Sequence, residues 1–168
     1  GNGFPSVTPG RFPVLVAGGY GVAPLYFLAR TLAERGCLFV GAAKVDDLLC
    51  LDDFRALGWP VQVTTQDGSA GIPGLVTVAL DAWLAGDGAS REVEFFACGP
   101  NGLLKAVGER AIARKAKGWL SLDRHMGCGA GACLACVQKV RKAEREDWAR
   151  VCKDGPIFEA REVVWDPA

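Results

Sequence analysis

The stretch HMGCGAGACLAC, residues 125–136, carries the strongest signal in this sequence. Cys128, Cys133 and Cys136 have the spacing C-x4-C-x2-C, and Cys152 follows after fifteen further residues. Only glycine and alanine stand between the first two cysteines, so the backbone can turn tightly and direct its N–H groups at bound sulfur. Four thiolates with this spacing are typical of a [2Fe–2S] cluster site. We predict that these four cysteines are the cluster ligands.

Other interpretations of the cysteines fit less well. Structural zinc also binds four cysteines, but zinc ribbons usually supply two C-x2-C pairs, and Cys152 has no partner two or three residues away. Disulfides between cysteines so close in sequence would be difficult to close. A Rieske centre needs two histidines, whereas His125 is the single histidine of the chain. We expect His125 to be a neighbour of the loop and not a ligand.

Composition limits the function classes further. The formal net charge is +0 and hydrophobic residues make up 50% of the chain, so nothing indicates a nucleic-acid or anionic-membrane partner. Seven cysteines favour a reducing compartment, and we expect a cytoplasmic location. The sole methionine is Met126, which leads us to expect that the chain is a piece of a longer protein.

A strand, a glycine turn and a helix are predicted near the start of the chain. Residues 13–17 are apolar, G-G-x-G-x-x-P runs from Gly18 to Pro24, and residues 25–35 have helical spacing. This order presents backbone N–H groups and a positive helix end to a phosphate. The G-x-G-x-x-G fingerprint is only half met, and no ribose-binding acid ends the next strand, 37–41. A tight strand-to-helix connection is the alternative to a nucleotide site.

The alternation of strands and helices continues. We predict strands at 61–65, 93–97 and 119–122 and helices at 47–57, 75–84 and 101–116. Glycine-bearing turns follow three of the strands, at 18–21, 67–71 and 98–100. Because the carboxyl ends of parallel strands share one edge of an open sheet, these turns are expected to meet around a ligand. The prediction is an α/β domain with an open parallel sheet and flanking helices.

Short segments replace this pattern from Arg124 onward. A hairpin is predicted, with residues 137–141 going out, Glu144 at the tip and residues 147–151 returning, so that Cys152 lies beside Cys136. Residues 163–165 are expected to return an edge strand to the main sheet. The predicted organisation is therefore a linker at 1–12, a nucleotide-binding α/β domain at 13–123, and a small [2Fe–2S] cysteine-loop and hairpin subdomain at 124–168.

Together these motifs resemble the electron-transfer subunit of NAD-linked dihydroorotate dehydrogenase, an enzyme of pyrimidine biosynthesis, in the ferredoxin–NADP reductase superfamily. The resemblance covers nearly the whole chain and implies a ferredoxin reductase-like fold. The stretches that carry it are AGGYGVAPL (17–25), TTQDGSAG (64–71), FFACGPNGLLKAV (95–107), SLDRHMGCGAGACLAC (121–136) and VCKDGPIF (151–158).

The resemblance implies NAD(P) and a [2Fe–2S] cluster as cofactors here, with FAD added in the full-length protein. It also implies nucleotide-binding residues in three groups: Gly18, Gly19, Gly21 and Pro24 at the pyrophosphate, Asp67 and Gly68 near the nucleotide, and Cys98, Gly99 and Pro100 near the nicotinamide. No side chain stands out as a catalytic acid or base. The implied partner is a catalytic flavoprotein subunit like that of dihydroorotate dehydrogenase.

Two departures from the family pattern bear on function. The family holds FAD on a β-barrel with an Arg-x-Tyr-Ser type motif, and neither Tyr20 nor Tyr26 lies in such a motif, so we expect the barrel outside this chain and the isolated fragment to be largely inactive. The acidic residue of the family's SLE-type stretch is here Asp123. Flavin subunits of sulfhydrogenases and of NADH-dependent ferredoxin–NADP oxidoreductases share the C-terminal pattern. A zinc-bearing nucleotide-binding module without a redox role and a plain electron carrier are the remaining alternatives.

Overall fold

The computed structural model describes residues 1–143 and 145–165. Its nine strands are Phe12–Gly18 (β1), Cys37–Ala42 (β2), Val61–Thr65 (β3), Ile72–Pro73 (β4), Val93–Cys98 (β5), Lys117–Ser121 (β6), Val137–Lys142 (β7), Arg145–Arg150 (β8) and Ile157–Glu159 (β9). Its α-helices are Val22–Thr31 (α1), Leu51–Ala56 (α2), Val76–Ala85 (α3), Asn101–Ala113 (α4) and Val151–Asp154 (α5). Short 3-10 helices occupy Gly19–Gly21 and Val45–Asp47.

Seven strands form one sheet in the order β4-β3-β2-β1-β5-β6-β9, and β7 and β8 form a separate hairpin. All pairs in the large sheet are parallel except β6 with β9. The chain builds outward from β1 to β4 and then returns to the other side of β1 with β5 and β6. The connections from β1 and β5 therefore diverge at the point where ligands bind in open α/β sheets.

Both faces of the sheet are covered, as expected for a parallel sheet with apolar strands. Alternate residues of β1 point to opposite faces. Val14 and Val16 pack in the core that includes residues of α3 and α4, whereas Leu15 and Ala17 pack in the core that includes residues of α1 and α2. All four are fully buried. The predicted open parallel sheet with flanking helices is confirmed.

All four predicted helices are found, and two of them begin three or four residues away from the predicted start. Helix α1 begins directly after the glycine turn and ends at Thr31, so it is shifted toward the N-terminus relative to the predicted 25–35. Pro24 fits within its first turn, where a missing N–H costs nothing. The helix predicted at 47–57 is wrong over its first half, because Cys50 has a φ of 58°, a left-handed conformation that breaks the helix, and only Leu51–Ala56 is α-helical.

The C-terminal hairpin is found as predicted, with Val137 opposite Arg150 and Lys142 opposite Arg145. The predicted tip residue, Glu144, lies outside the described residues. The expectation that residues 163–165 add an edge strand to the main sheet is wrong. Strand β9 takes that place beside β6, while Val163 forms a bridge with Val140 of the hairpin.

The predicted linker is 1–12; Phe12 begins β1, and residues 1–11 pack along the sheet without regular structure. The Asn2 side chain donates to the Ile157 carbonyl oxygen at 3.0 Å and accepts from its N–H at 2.9 Å. The Thr8 N–H donates to the buried Glu94 carboxylate at 2.8 Å. Among the residues described, none belongs to a helix long and apolar enough to cross a membrane. The domain division at 123/124 stays a prediction.

Candidate nucleotide cleft and cysteine loop

A cleft of about 950 Å³ opens at the carboxyl edge of the main sheet, where β1, β2 and β5 end. Turns after these strands supply much of its lining, and the first turns of α3 and α4 supply most of the remainder. The lining residues are Gly18, Gly19, Tyr20, Gly41, Ala42, Ala43, Asp46, Asp47, Leu49, Gln66, Gly74, Leu75, Val76, Thr77, Cys98, Gly99, Pro100, Asn101, Gly102, Leu103, Ala106 and Asp123. This volume suits a ligand larger than a single sugar or phosphate.

Glycines let the turns after β1 and β5 pack directly against each other. A Cβ on Gly99 would lie 3.0 Å from the Gly18 Cα, and a Cβ on Gly21 would lie 2.3 Å from the Cys98 carbonyl oxygen. Gly19 is different, because nothing lies within 4 Å of its Cβ position and its φ is +54°. Gly21 thus closes the turns on each other, whereas Gly19 leaves an open stretch of backbone at the cleft.

The amino end of α4 is a second feature suited to a phosphate. The helix begins at Asn101 without a side-chain cap on its N–H groups, and residues 101–103 line the cleft. Uncapped N–H groups and the positive end of the helix dipole favour an anion there. The GGYG turn and this helix end therefore present backbone donors to the same cleft.

The structure sorts the residues that were predicted to bind nucleotide. Gly18, Gly19, Cys98, Gly99 and Pro100 line the cleft. The other four, Gly21, Pro24, Asp67 and Gly68, are absent from its lining. Asp67 instead closes its own turn, because its Oδ1 accepts from the Ser69 N–H at 2.9 Å and the Ser69 hydroxyl at 2.6 Å, and these bonds lower its pKa.

Sequence reasoning missed several lining residues. Tyr20 is 75% exposed and its hydroxyl lies 3.5 Å from Asp123 Oδ2, across the mouth of the cleft. Asp46 and Asp47 follow β2 at the usual place of a ribose-binding acid but within a 3-10 turn, later than the motif expects. The amino end of α3, residues 75–77, carries no motif at all. For Tyr20, Asp46 and Asp47, the one available signal was their position shortly after a predicted parallel strand.

The cysteine loop surrounds the Cys128 sulfur with backbone donors. The N–H groups of Ala130, Ala132 and Cys133 lie 3.4, 3.3 and 3.4 Å from Cys128 Sγ. These hydrogen bonds, that of Cys133 first, lower the pKa of Cys128 to about 6. Gly129 and Gly131 make the wrap possible, since both have left-handed φ angles, +65° and +81°. The loop is thus shaped for an anionic sulfur.

The other two predicted ligands form a second pair. Cys136 ends the loop and is buried, and Cys152 lies in the first turn of α5. The Cys152 N–H donates to Cys136 Sγ at 3.4 Å, and this bond lowers the pKa of Cys136. Hydrogen bonding to the Cys136 thiol raises the pKa of Cys152.

The pairing of the four predicted thiol ligands suits a two-iron cluster. Within residues 1–143 and 145–165, no group of three or more His, Cys, Asp or Glu side chains is placed to hold one metal ion. The four thiols lie instead as two pairs, Cys128 with Cys133 and Cys136 with Cys152. In a [2Fe–2S] cluster each iron takes two thiolates, so each pair would serve one iron.

Arg124 connects the cleft with the hairpin. Its guanidinium donates to the Asn101 side chain at 2.7 Å and to the Gln138 side chain. Gln138 is itself buried and donates to the Val164 carbonyl oxygen at 2.8 Å. A continuous set of hydrogen bonds therefore runs from the cleft-lining start of α4 to the strand that follows Cys136.

Comparison with known proteins agrees with this geometry. Residues 123–164 match the family model described as the iron–sulfur cluster binding domain of dihydroorotate dehydrogenase B. Over 172 residues the chain is 41% identical to the "Dihydroorotate dehydrogenase B (NAD(+)), electron transfer subunit" of Bacillus caldolyticus, covering 98% of this chain and 62% of that protein. It is 43% identical over 169 residues to the protein with the same description in Geobacillus thermodenitrificans, with the same two coverages.

A solved structure shares the fold. The structure of an NADH-dependent reduced ferredoxin–NADP oxidoreductase, described in connection with flavin-based electron bifurcation, superposes with a TM-score of 0.77 at 32% identity. The match covers 97% of this chain and 58% of that one. The resemblance and the fold class predicted from the sequence are therefore confirmed. The chain spans 62% of the length of the two curated relatives above.

Proposed function

We propose that this chain is the nucleotide- and cluster-binding part of an electron-transfer subunit. In this proposal, electrons pass between NAD(P)(H) and a partner oxidoreductase through FAD and a [2Fe–2S] cluster. The observation that carries it is the direct connection, through Arg124, of a cleft lined by backbone donors to a loop lined by thiols. The chain thus offers a separate place for each of two redox groups.

The cleft would hold the dinucleotide chiefly through its backbone. The open turn at Gly19 and the uncapped amino end of α4 would bind the pyrophosphate, which needs donors and close approach and no side-chain chemistry. Cys98, Gly99 and Pro100 would lie by the nicotinamide. Asp46 and Asp47 would face the ribose that lies away from the nicotinamide. Carboxylates there disfavour the 2′-phosphate that distinguishes NADP from NAD.

The cysteine loop would hold the cluster, with Cys128, Cys133, Cys136 and Cys152 as its ligands. Such a cluster supplies one-electron transfer, whereas a nicotinamide gives up a hydride, so a flavin must stand between them. This chain's own contribution would be to hold the thiols in pairs and to lower the pKa of Cys128 and Cys136. At Cys128 the backbone N–H groups that surround Sγ lower the pKa without any charged residue.

The activity of the whole protein is a proposal that rests on the relatives. Two of them are described as electron transfer subunits of dihydroorotate dehydrogenase B, and the chain spans 62% of their length. We propose that FAD is bound by a part of the protein outside these 168 residues, that a catalytic dihydroorotate dehydrogenase-like subunit is the partner, and that the fragment alone is largely inactive. We also propose the cytoplasm as the protein's location, since the thiols must stay reduced. The division of the chain into an α/β domain at 13–123 and a cluster subdomain at 124–168 is likewise proposed.

A second candidate partner is favoured by the structural match. The oxidoreductase with a TM-score of 0.77 is described as acting with ferredoxin and NADP, so the same fold serves a different electron acceptor. Full-length protein, assayed with NADH, separates the two candidates. Reduction of orotate by a co-purified subunit supports the first, and reduction of ferredoxin or NADP without such a subunit supports the second.

Reconstitution of the 168-residue chain tests the proposal directly. The chain is incubated anaerobically with iron, sulfide and dithiothreitol, desalted, and analysed for iron, zinc, sulfide and visible absorption. We expect about two irons and two sulfides per chain, a brown colour that bleaches with dithionite, and quenching of tryptophan fluorescence by NADH. A colourless chain that keeps zinc but no iron would show that the site is structural.

A further inference from the structure

Arg150 makes an unusual set of contacts beside the cysteines. It ends β8, and its Nε and Nη2 donate to the two carboxylate oxygens of Asp154 at 3.0 and 3.1 Å. Its own N–H donates to the same carboxylate at 2.9 Å. Its Nη1 donates to the Gly131 carbonyl oxygen at 3.2 Å. One guanidinium therefore bonds both to the helix that carries Cys152 and to the loop that carries Cys128 and Cys133.

The loop lies close against this helix. A Cβ on Gly131 would lie 2.9 Å from Lys153 Cδ and 3.5 Å from Arg150 Cδ. Gly131 stands between Cys128 and Cys133, so a bond to its carbonyl holds the loop segment that carries the first thiol pair. Asp154 ends the four-residue helix α5, which contains Cys152, so a bond to its carboxylate holds the helix that carries one thiol of the second pair. Arg150 joins these two positions.

The geometry of the side chain is well suited to this role. The planar guanidinium is fixed by a two-point bond to Asp154, which leaves Nη1 directed at the loop. The side chains of Arg150 and Asp154 are 32% and 30% exposed, so water competes only partly with the contact. A lysine could keep the charge but could not make the three bonds together.

We propose that Arg150 is a positioning residue for the cluster: it holds the loop with Cys128 and Cys133 against the helix with Cys152. The inference rests on the proposed function, since it assumes that these cysteines bind a [2Fe–2S] cluster. Groups that orient metal ligands in this way change metal affinity by about tenfold to hundredfold when they are replaced. Arg150 would therefore set how long the cluster is retained and how its two irons are disposed.

Two substitutions separate geometry from charge. Arg150→Gln removes both, and Arg150→Lys keeps the charge while losing the bridge. Arg110→Gln is the matched control, because Arg110 also makes a two-point ion pair, to Asp81 at 2.6 Å, but between α4 and α3. Asp154→Asn is a further variant that leaves Arg150 in place but weakens its orientation.

The test measures the loss of the reconstituted cluster to excess bathophenanthroline by the fading of its visible absorption. We expect Arg150→Gln and Arg150→Lys to lose it about tenfold faster or more, and Arg110→Gln to lose it at the wild-type rate. The EPR spectrum of the dithionite-reduced cluster should change in both Arg150 variants. A purely structural role would lower the urea midpoint without changing that spectrum.

Each other outcome counts against a stated part of the argument. Wild-type retention and spectrum in Arg150→Gln overturn the inference. A normal Arg150→Lys beside a defective Arg150→Gln shows that charge acts and positioning does not, which also overturns it. If Arg150→Gln does not fold, Asp154→Asn decides, and wild-type behaviour there overturns it. Failure of the wild-type chain to take up any cluster overturns the proposed function itself, and the inference with it.

Discussion

Gly19→Ala should chiefly weaken nucleotide binding, whereas Gly21→Ala should chiefly lower the stability of the fold, although the two glycines stand two residues apart in one turn. Gly19 has a φ of +54° with open space around its Cβ position, whereas Gly21 has a φ of −60° and no space. Gly19→Ala therefore places a residue in the left-handed region, which costs about 1–2 kcal/mol of stability. Gly21→Ala places a Cβ 2.3 Å from the Cys98 carbonyl oxygen, a backbone atom that cannot turn aside, and should cost about 3 kcal/mol or more.

Nucleotide binding should follow the opposite order: Gly19→Ala should weaken it, whereas any Gly21→Ala protein that folds should bind nucleotide more tightly than Gly19→Ala does. A methyl group at Gly19 stands in the cleft where we place the pyrophosphate, so at least one charge-assisted bond from the backbone should be lost. Such a bond contributes about 1.5–3 kcal/mol, which corresponds to roughly a tenfold to hundredfold weaker affinity.

Two measurements check this pair of predictions. Urea unfolding followed by tryptophan fluorescence gives the stability of each variant, and NADH titration by calorimetry gives the affinity. The proposed site is refuted if wild-type chain binds NADH and Gly19→Ala binds it equally well. The described packing of the two turns is refuted if Gly21→Ala has wild-type stability.

Three further predictions concern other parts of the chain. Cys133→Ser should abolish the visible absorption and iron content after reconstitution, while Cys50→Ser, at a half-buried cysteine outside the loop, should keep both. Burial raises the pKa of Cys37 from 9.0 to about 12. The stability that the neutral thiol contributes is therefore full below pH 9.0 and falls by about 1.4 kcal/mol per pH unit between pH 9.0 and about 12. Cys37→Ala should therefore lose that part of the alkaline slope in urea titrations, and an unchanged slope would contradict the burial. Glu94→Gln should cost about 2–3 kcal/mol of unfolding free energy, because Trp119 Nε1 and a backbone N–H both donate to this buried carboxylate; wild-type stability would show that these bonds are not needed.

The two central strands of the main sheet, β1 and β5, could be predicted because they are buried on both faces, whereas β4 and β9 of the same sheet were not predicted. The prediction at 61–65 matches β3 completely, and β1 and β5 each differ by one residue at one or both ends. A strand covered on two sides is apolar over most of its length, as β1 is, and this leaves a short continuous run in the sequence. Strand β3, VQVTT, is only partly buried and has no such run. The glycine turns were found for the same kind of reason, since close packing of Gly18 on Gly99 admits no side chain.

The amino end of α3 could not be predicted as part of the cleft. It reaches the cleft by packing on β2, where a Cβ on Gly41 would lie only 2.8 Å from Val76 Cβ. Nothing local to residues 75–77 indicates this contact, because it depends on the register of a distant strand. The same holds for α2, whose start is set by the left-handed conformation of Cys50, a residue with no sequence preference for it.

The edge strand of the main sheet is β9 and not the predicted 163–165, and this affects how the two candidate sites are arranged. Strand β9 follows α5, which carries Cys152, and pairs with β6, whose end leads to the cleft residue Asp123. One thiol of the second pair is therefore fixed to the same sheet that forms the cleft, in addition to the link through Arg124. A cluster held there could not swing freely relative to a bound nucleotide. Since the first thiol pair lies on a loop outside that sheet, its position has to be fixed by side chains, and Arg150 is the side chain that bonds to both.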